Sequence, residues 1–188
     1  MSHDHDHHHH GRGHDKHKGE ASPVAQHRAH GKRSAHCMVV TVSDTRDLAS
    51  DRSGQRATDL LTEGGHVVRR REIVADDRDA IAALVRAGIA DPGIDAVVLT
   101  GGTGIAPRDV TYEAVDGLLE KPLHGFGELF RSLSYAEIGS AAMLSRAIGG
   151  VVGRTVVFAL PGSTKAVELG VTKLIAPELG HMIGLLAP

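Results

Sequence analysis

Tryptophan is absent from this 188-residue sequence, and only two tyrosines, three phenylalanines and one cysteine are present. So few aromatics leave no stacking platform for nucleic-acid bases. The single cysteine, Cys37, permits no intrachain disulfide, which fits a reducing compartment. It opens an apolar strand and reads as a small buried hydrophobe. Positive charge is not in excess: 21 Lys and Arg stand against 23 Asp and Glu, for a net charge of −2. Once the first 36 residues are set aside, the body holds 15 basic and 19 acidic residues. A mildly acidic body lacks the concentrated basic face that non-specific nucleic-acid binding requires. Long apolar runs are missing too. Stretches such as Val156 to Leu160 are far too short to span a bilayer, and the first residues lack the apolar core of a secretory signal. The expectation is a soluble, cytoplasmic protein with no nucleic-acid or membrane partner.

What the chain does have divides it in two. The first 36 residues contain eleven of the fourteen histidines and almost no large apolar side chains. Residues 1–35 therefore read as a disordered His-rich tail and residues 36–188 as one folded domain. Imidazoles in the run from His3 to His10, with His14 and His17, suit Ni²⁺, Zn²⁺ or Cu²⁺, but lack the fixed spacing of a structural zinc site.

Periodicity sets out the body. Met38 to Val42 reads as a buried strand, and Ala57, Leu60 and Leu61 as a helix stopped by Gly64-Gly65. Val67-Val68 and Ile73-Val74 suggest a second strand, interrupted by Arg69-Arg70-Arg71 and solvated at a sheet edge. Ile81, Leu84, Val85 and Ile89 mark a helix, and Ala96 to Leu99 a third strand. Helical stripes follow from Thr111, over Phe126 to Leu133, and briefly over Met143, Leu144 and Ala147. Val151-Val152 and Thr155 to Leu160 read as a hairpin turned by Gly153-Arg154 in type II′ geometry. A last helix carries Val167, Val171, Leu174 and Ile175, with Pro177 kinking or restarting it. Strands alternating with helices predict a three-layer α/β sandwich, mostly parallel, with one antiparallel edge strand.

Ligands of such sheets bind beyond the carboxyl ends of the strands. That rule gathers four loops: Ser43-Asp44, Asp76-Asp77, Gly101 to Asp109, and Pro161-Gly162-Ser163. The third is the most informative. Three glycines, Gly101, Gly102 and Gly104, let backbone amides approach an anion, and a helix start at Thr111 adds further unpaired amides. Asp109 among phosphate-binding amides points to a divalent cation bridging to phosphate. The loop is no Walker A, because no Gly-Lys-Ser/Thr follows, and Pro107 replaces the third glycine of a dinucleotide fingerprint. A tight strand-to-helix turn with a capping Asp remains the alternative.

Seven stretches fall in a familiar order and spacing. They are Val42 to Arg46, Asp51 to Gly54, Glu72 to Asp77, Thr100 to Thr111, Gly125 to Arg131, Met143 to Arg146, and Leu160 to Ser163. Over residues 36–186 the chain resembles the molybdenum cofactor biosynthesis protein B family, close kin of molybdopterin adenylyltransferase. The resemblance implies a molybdopterin-binding fold, assembly as a homotrimer or homohexamer, and contact with other molybdenum cofactor pathway proteins. It also implies a nucleotidyltransferase reaction: with Mg²⁺, molybdopterin and ATP give adenylylated molybdopterin and pyrophosphate. Asp76 and Asp109 match the family's two essential carboxylates, which would carry catalysis and hold the metal. The glycine loop, the Ser43 loop and the Pro161-Gly162-Ser163 loop match its ligand-binding walls. Tyr112 departs from the pattern, since relatives usually have proline there, and the His-rich tail lies outside it.

The bare chemistry agrees: Gly101 to Gly104 would cradle phosphate, Thr103, Thr111 and Ser163 would donate hydroxyls, and Lys165 would add positive charge. Each residue keeps an alternative. Asp76 or Asp77 caps the next helix; Thr111 and Ser163 are caps; Lys165 is a solvated lysine; Asp44 braces its loop. Ser145-Arg146 binds a phosphate or makes a subunit salt bridge. At the level of the whole protein, a noncatalytic molybdopterin-binding member of the pathway is the second reading, and a metal-handling protein acting through its histidines the third.

Overall fold

A computed structural model describes residues 33–187. The expected tail therefore lies outside the described residues, except for its last three positions. The elements run β1 His36–Val42, α1 Arg52–Glu63, β2 Val67–Val74, α2 Arg78–Ala90, β3 Ala96–Thr100, α3 Thr111–Asp116, β4 Lys121–Pro122, α4 His124–Ile138, β5 Ile148–Val152, β6 Thr155–Leu160, α5 Thr164–Gly170 and α6 Ala176–Leu186. They form one six-stranded sheet in the order β2-β1-β3-β6-β5-β4. The four strands from β2 to β6 run parallel, so their carboxyl ends share one rim. β5 returns antiparallel to β6, as the hairpin predicts, and the two-residue β4, which the pattern did not flag, pairs outside it. Gly153 alone in the turn has a positive φ, 57°, which agrees with type II′.

Strand alternation divides the core into two halves. Val39, Val98 and Phe158 lie in register and pack with α1, α4 and the C-terminal helices. Val40, Leu99 and Ala159 point the other way, toward α2 and α3. That is the expected three-layer sandwich. Phe126 of α4 meets Phe158 of β6 at a 4.8 Å ring separation, over Gly149, whose missing side chain leaves room for both rings. Cys37 is fully buried, and burial first, then the Asp95 charge, push its thiol up to about 12, so it is inert.

Two expectations change. β2 lies at the sheet edge as expected and runs on through its arginines, with only a register shift against β1 that skips Arg69. Alternation sends Arg70 to one side, beside Glu72 and Asp91, and Arg71 to the other, onto α1. Met143, Leu144 and Ala147 do not stripe a helix. The first two end a 3₁₀ turn, Gly139–Leu144, and are exposed, while Ala147 is buried beyond it. The last helical stretch, Thr164 to Leu186, is by length and composition long enough to cross a membrane. Its Val167, Val171, Ile175 and Leu179 are instead buried on the sheet. Pro177 does restart it: a wider π turn, Val171–Ile175, precedes Pro177 in the first turn of α6, where its missing N–H is not needed.

Candidate functional site

At the shared rim the four loops are tied to one another by backbone contacts. Ser43 N–H donates to Val74 O at 2.9 Å, and Gly101 N–H to Leu160 O at 3.1 Å. Thr100 Oγ1 donates to Pro161 O at 3.3 Å. A Cβ on Gly162 would lie 3.0 Å from Gly101 Cα, so these loops touch backbone to backbone. Gly101 and Gly102 turn the chain with φ of 102° and 62°, values that side chains resist.

Beyond this turn the chemistry concentrates over Gly102. A Cβ there would stand 2.3 Å from Thr111 Oγ1 and 2.7 and 2.9 Å from the Asp76 carboxylate oxygens. Thr111 Oγ1 is buried and has no hydrogen-bond partner among the described residues. It is not the cap of α3, which is Val110. Asp76 is half-buried and accepts only a long 3.4 Å bond from Val110 N–H. The capping question is settled by its neighbour: Asp77 accepts from Ala80 N–H at 2.8 Å and caps α2. Burial is the first cause of a raised Asp76 pKa. The Val110 amide opposes it, the charges of Asp109 and Asp44 add to it, and Arg108 opposes it again.

Asp109 is half-buried and reaches back under the loop. Its Oδ2 accepts from Ala106 N–H at 3.0 Å, and would lie 2.5 Å from a Cβ on Gly104. Asp44 does brace its loop, accepting from Asp76 N–H at 2.9 Å and pairing with Arg108 at 3.1 Å. Ser43 Oγ accepts from the Thr45 and Arg46 amides, which leaves its own proton free. Thr103 is buried. Ser163 is the cap of α5, accepting from Ala166 N–H at 3.2 Å. Lys165 is exposed in the first turn of α5 and makes no hydrogen bond or ion pair among the described residues.

The structure brings Asp76 and Thr111 together over Gly102, with the Asp109 charge close enough to act on Asp76, while Lys165 lies in the first turn of α5. The donors suit Mg²⁺: the Asp76 carboxylate, whose ionised form is made costly by burial and then by the charges of Asp109 and Asp44, and a buried hydroxyl beside it. Among the described residues no three His, Cys, Asp or Glu side chains cluster as a protein-only metal cage. A cation held here would need oxygen donors from its ligand.

The sequence matches the family described as "Probable molybdopterin binding domain" over residues 38–181. The chain belongs to the molybdenum cofactor biosynthesis protein B family. A protein of that name from Bacillus cereus is 54% identical over 160 residues, covering 85% of this chain and 95% of the relative. A crystal structure of molybdenum cofactor biosynthesis protein B superposes with a TM-score of 0.80 at 55% identity, covering 82% of this chain and 96% of that one. The tungsten cofactor synthesizing protein MoaB from Pyrococcus furiosus gives 0.72 at 38% identity, covering 79% and 94%. In this family member one buried residue beside the site escaped assignment from sequence. Asp51 is a buried acceptor beneath the Ser43 loop, bonded by Thr41 Oγ1 at 2.7 Å and Gly54 N–H at 2.9 Å. Arg146, expected to bind a phosphate or bridge subunits, reaches across to Thr103, Gly104 and Glu113 of its own chain. That bond is the first cause holding the Glu113 carboxyl below its ordinary value.

Proposed function

We propose that this chain transfers AMP from ATP to molybdopterin at the rim formed by Gly101 to Asp109, Asp76 and Thr111. Family membership gives the pathway, molybdenum cofactor biosynthesis, and the ligand class, molybdopterin. The observation that carries the finer reading is the buried, unpartnered Thr111 hydroxyl beside the Asp76 carboxylate over a side-chain-free Gly102. A terminal phosphate oxygen of molybdopterin attacks the α-phosphorus of ATP. The bond from that phosphorus to the bridging oxygen breaks, and pyrophosphate leaves with the electron pair. Such a transfer needs alignment and neutralised charge rather than a protein nucleophile. Asp76 and Asp109 would hold Mg²⁺, which would supply part of that neutralisation. The glycine-loop amides and the hydroxyls of Thr111 and Ser43 hold phosphate oxygens in line, and Lys165 lends charge from the margin.

The test mixes protein, molybdopterin, ATP and Mg²⁺ and measures pyrophosphate and adenylylated pterin. Stoichiometric formation of both supports the reading. Pterin binding without pyrophosphate identifies a noncatalytic member, and unimpaired turnover by Asp109→Ala removes that residue from the mechanism.

Assembly into trimers or hexamers belongs to the same reading. Tyr135, Ile138, Met143 and Leu144 cluster at the end of α4 and the following turn, with 53–77% of their surface exposed. Adjacent apolar exposure of this kind marks an interaction surface. Ile138→Glu with Met143→Glu is expected to convert an oligomer to monomers in light scattering while the thermal transition stays cooperative. An unchanged mass would assign the patch another use.

A further inference from the structure

Resting on the site reading above, we propose that Arg146 is a positioning residue that sets which way the peptide groups of the glycine loop face. Its Nε donates to Thr103 O at 2.9 Å, and its Nη2 donates to Gly104 O. The rest of the guanidinium fork pairs with the Glu113 carboxylate, and the plane stands 5.0 Å from the centre of the Tyr112 ring. Four of the five guanidinium N–H groups are thereby engaged. The charge is matched by Glu113, so the side chain is committed to protein and not to a ligand.

The consequence follows from the geometry of a trans peptide, in which C=O and N–H lie in one plane and point in opposite directions. No cis peptide occurs among the described residues. Two successive carbonyls, of Thr103 and Gly104, are held on the Arg146 side. The N–H groups of the same two peptide planes, those of Gly104 and Ile105, must therefore face away from it. Neither has an acceptor among the described residues. Adjacent amides with free N–H groups aimed together form an anion-binding concavity. Without the clamp, a peptide group next to glycine turns over at little steric cost. A reversed plane would present a carbonyl oxygen to the phosphate and repel it. Arg146 therefore acts on the ligand through the loop.

Lysine cannot do this work. An ammonium is a point charge and cannot hold two carbonyls and a carboxylate in one plane. The short helix α3 supplies both Tyr112 and Glu113, so the clamp also ties the loop to the start of that helix.

The test uses the full chain with Arg146→Ala, Arg146→Lys and Glu113→Gln, the last as the mildest change should the others fold poorly. Backbone ¹⁵N order parameters at Gly104 and Ile105, measured without ligand, are expected to fall from about 0.85 to below about 0.6 in the Arg146 variants. Affinity for ATP with Mg²⁺ is expected to drop about 10- to 100-fold in both, and severalfold in Glu113→Gln. Free guanidinium ion should restore ATP binding and loop order in Arg146→Ala but not in Arg146→Lys. Wild-type order at Gly104 and Ile105 in Arg146→Ala overturns the proposal. So does lost ATP affinity with the loop still ordered, which would make Arg146 a direct phosphate ligand. If the wild-type chain fails to bind ATP with Mg²⁺, the site reading fails, and the order parameters still decide the role of Arg146.

Discussion

Asp76→Asn is expected to lower AMP transfer by about 10²- to 10³-fold, the range for removing one charge-stabilising group from a closed site. The folded protein should not suffer. Asp76 holds up nothing: the helix cap is Asp77, and the one bond Asp76 accepts is 3.4 Å long. Its burial and the neighbouring charges of Asp109 and Asp44 make the ionised form costly, with Val110 and Arg108 only partly opposing. Neutralising it relieves that repulsion, so the thermal midpoint should stay level or rise. Loss of activity without loss of stability is the signature of a group kept for chemistry. Asp77→Ala is the control. It removes a cap bonded at 2.8 Å, which costs about 1 kcal/mol of stability, and leaves turnover intact. If Asp76→Asn melts early and turns over normally, the roles of the two neighbours have been assigned the wrong way round.

The gathering of the Asp76-Asp77 exit with the loop that ends at Asp109 was legible in the sequence because it follows from periodicity, while the choice of Asp76 and Asp109 as partners came from the family resemblance. Apolar runs of strand length alternate with helical stripes, and a parallel sheet puts every strand exit on one rim. The glycines of the third exit were equally plain. What was not legible depends on partners far along the chain. Arg69-Arg70-Arg71 looked like a solvated break, because nothing local reveals that strand alternation sends Arg71 inward to Asp51, twenty residues earlier. Arg146 finds the glycine loop across more than forty residues, so its neighbours Ser145 and Ala147 gave no hint of it. Met143 and Leu144 showed the converse difficulty. Apolar residues at helix-like spacing suggest a buried face, whereas these sit exposed on a 3₁₀ turn. The choice between Asp76 and Asp77 as cap turned on a single backbone amide, which only coordinates resolve.

Arg71→Leu is expected to destabilise the fold by about 3 kcal/mol at neutral pH, because it strands a buried charge. The Asp51 side chain has no solvent exposure, and its 3.0 Å partner Arg71 has 17%. Removing one member of a buried pair costs about 3 to 5 kcal/mol. The lower end applies here because Arg71 Nε is itself buried without a partner among the described residues, a penalty the leucine removes. The pH dependence fixes the cause. Burial pushes the Asp51 pKa up, but the Gly54 amide, the Thr41 hydroxyl and Arg71 outweigh it and hold the folded value below the ordinary one. In the wild type, this group's stabilisation is therefore complete above the unfolded Asp value, about 3.9, and is lost as pH falls through the lowered folded value. In Arg71→Leu the cation is gone while the burial remains, so the folded pKa climbs. The deficit should then be greatest near pH 7 and shrink toward pH 4 as Asp51 takes up its proton. Urea unfolding across that range measures it, and adding Asp51→Asn should recover part of the loss at pH 7. A deficit that does not vary with pH would mean that packing, and not charge, is what Arg71 contributes. The effect also reaches the rim. Arg71 Nη2 donates to Leu48 O at 3.1 Å and Asp51 O at 2.7 Å, pinning the segment that leads away from Ser43 and Asp44. Asp44 in turn holds the Asp76 amide, so weaker Mg²⁺-dependent turnover is expected to accompany the lost stability even where the variant remains folded.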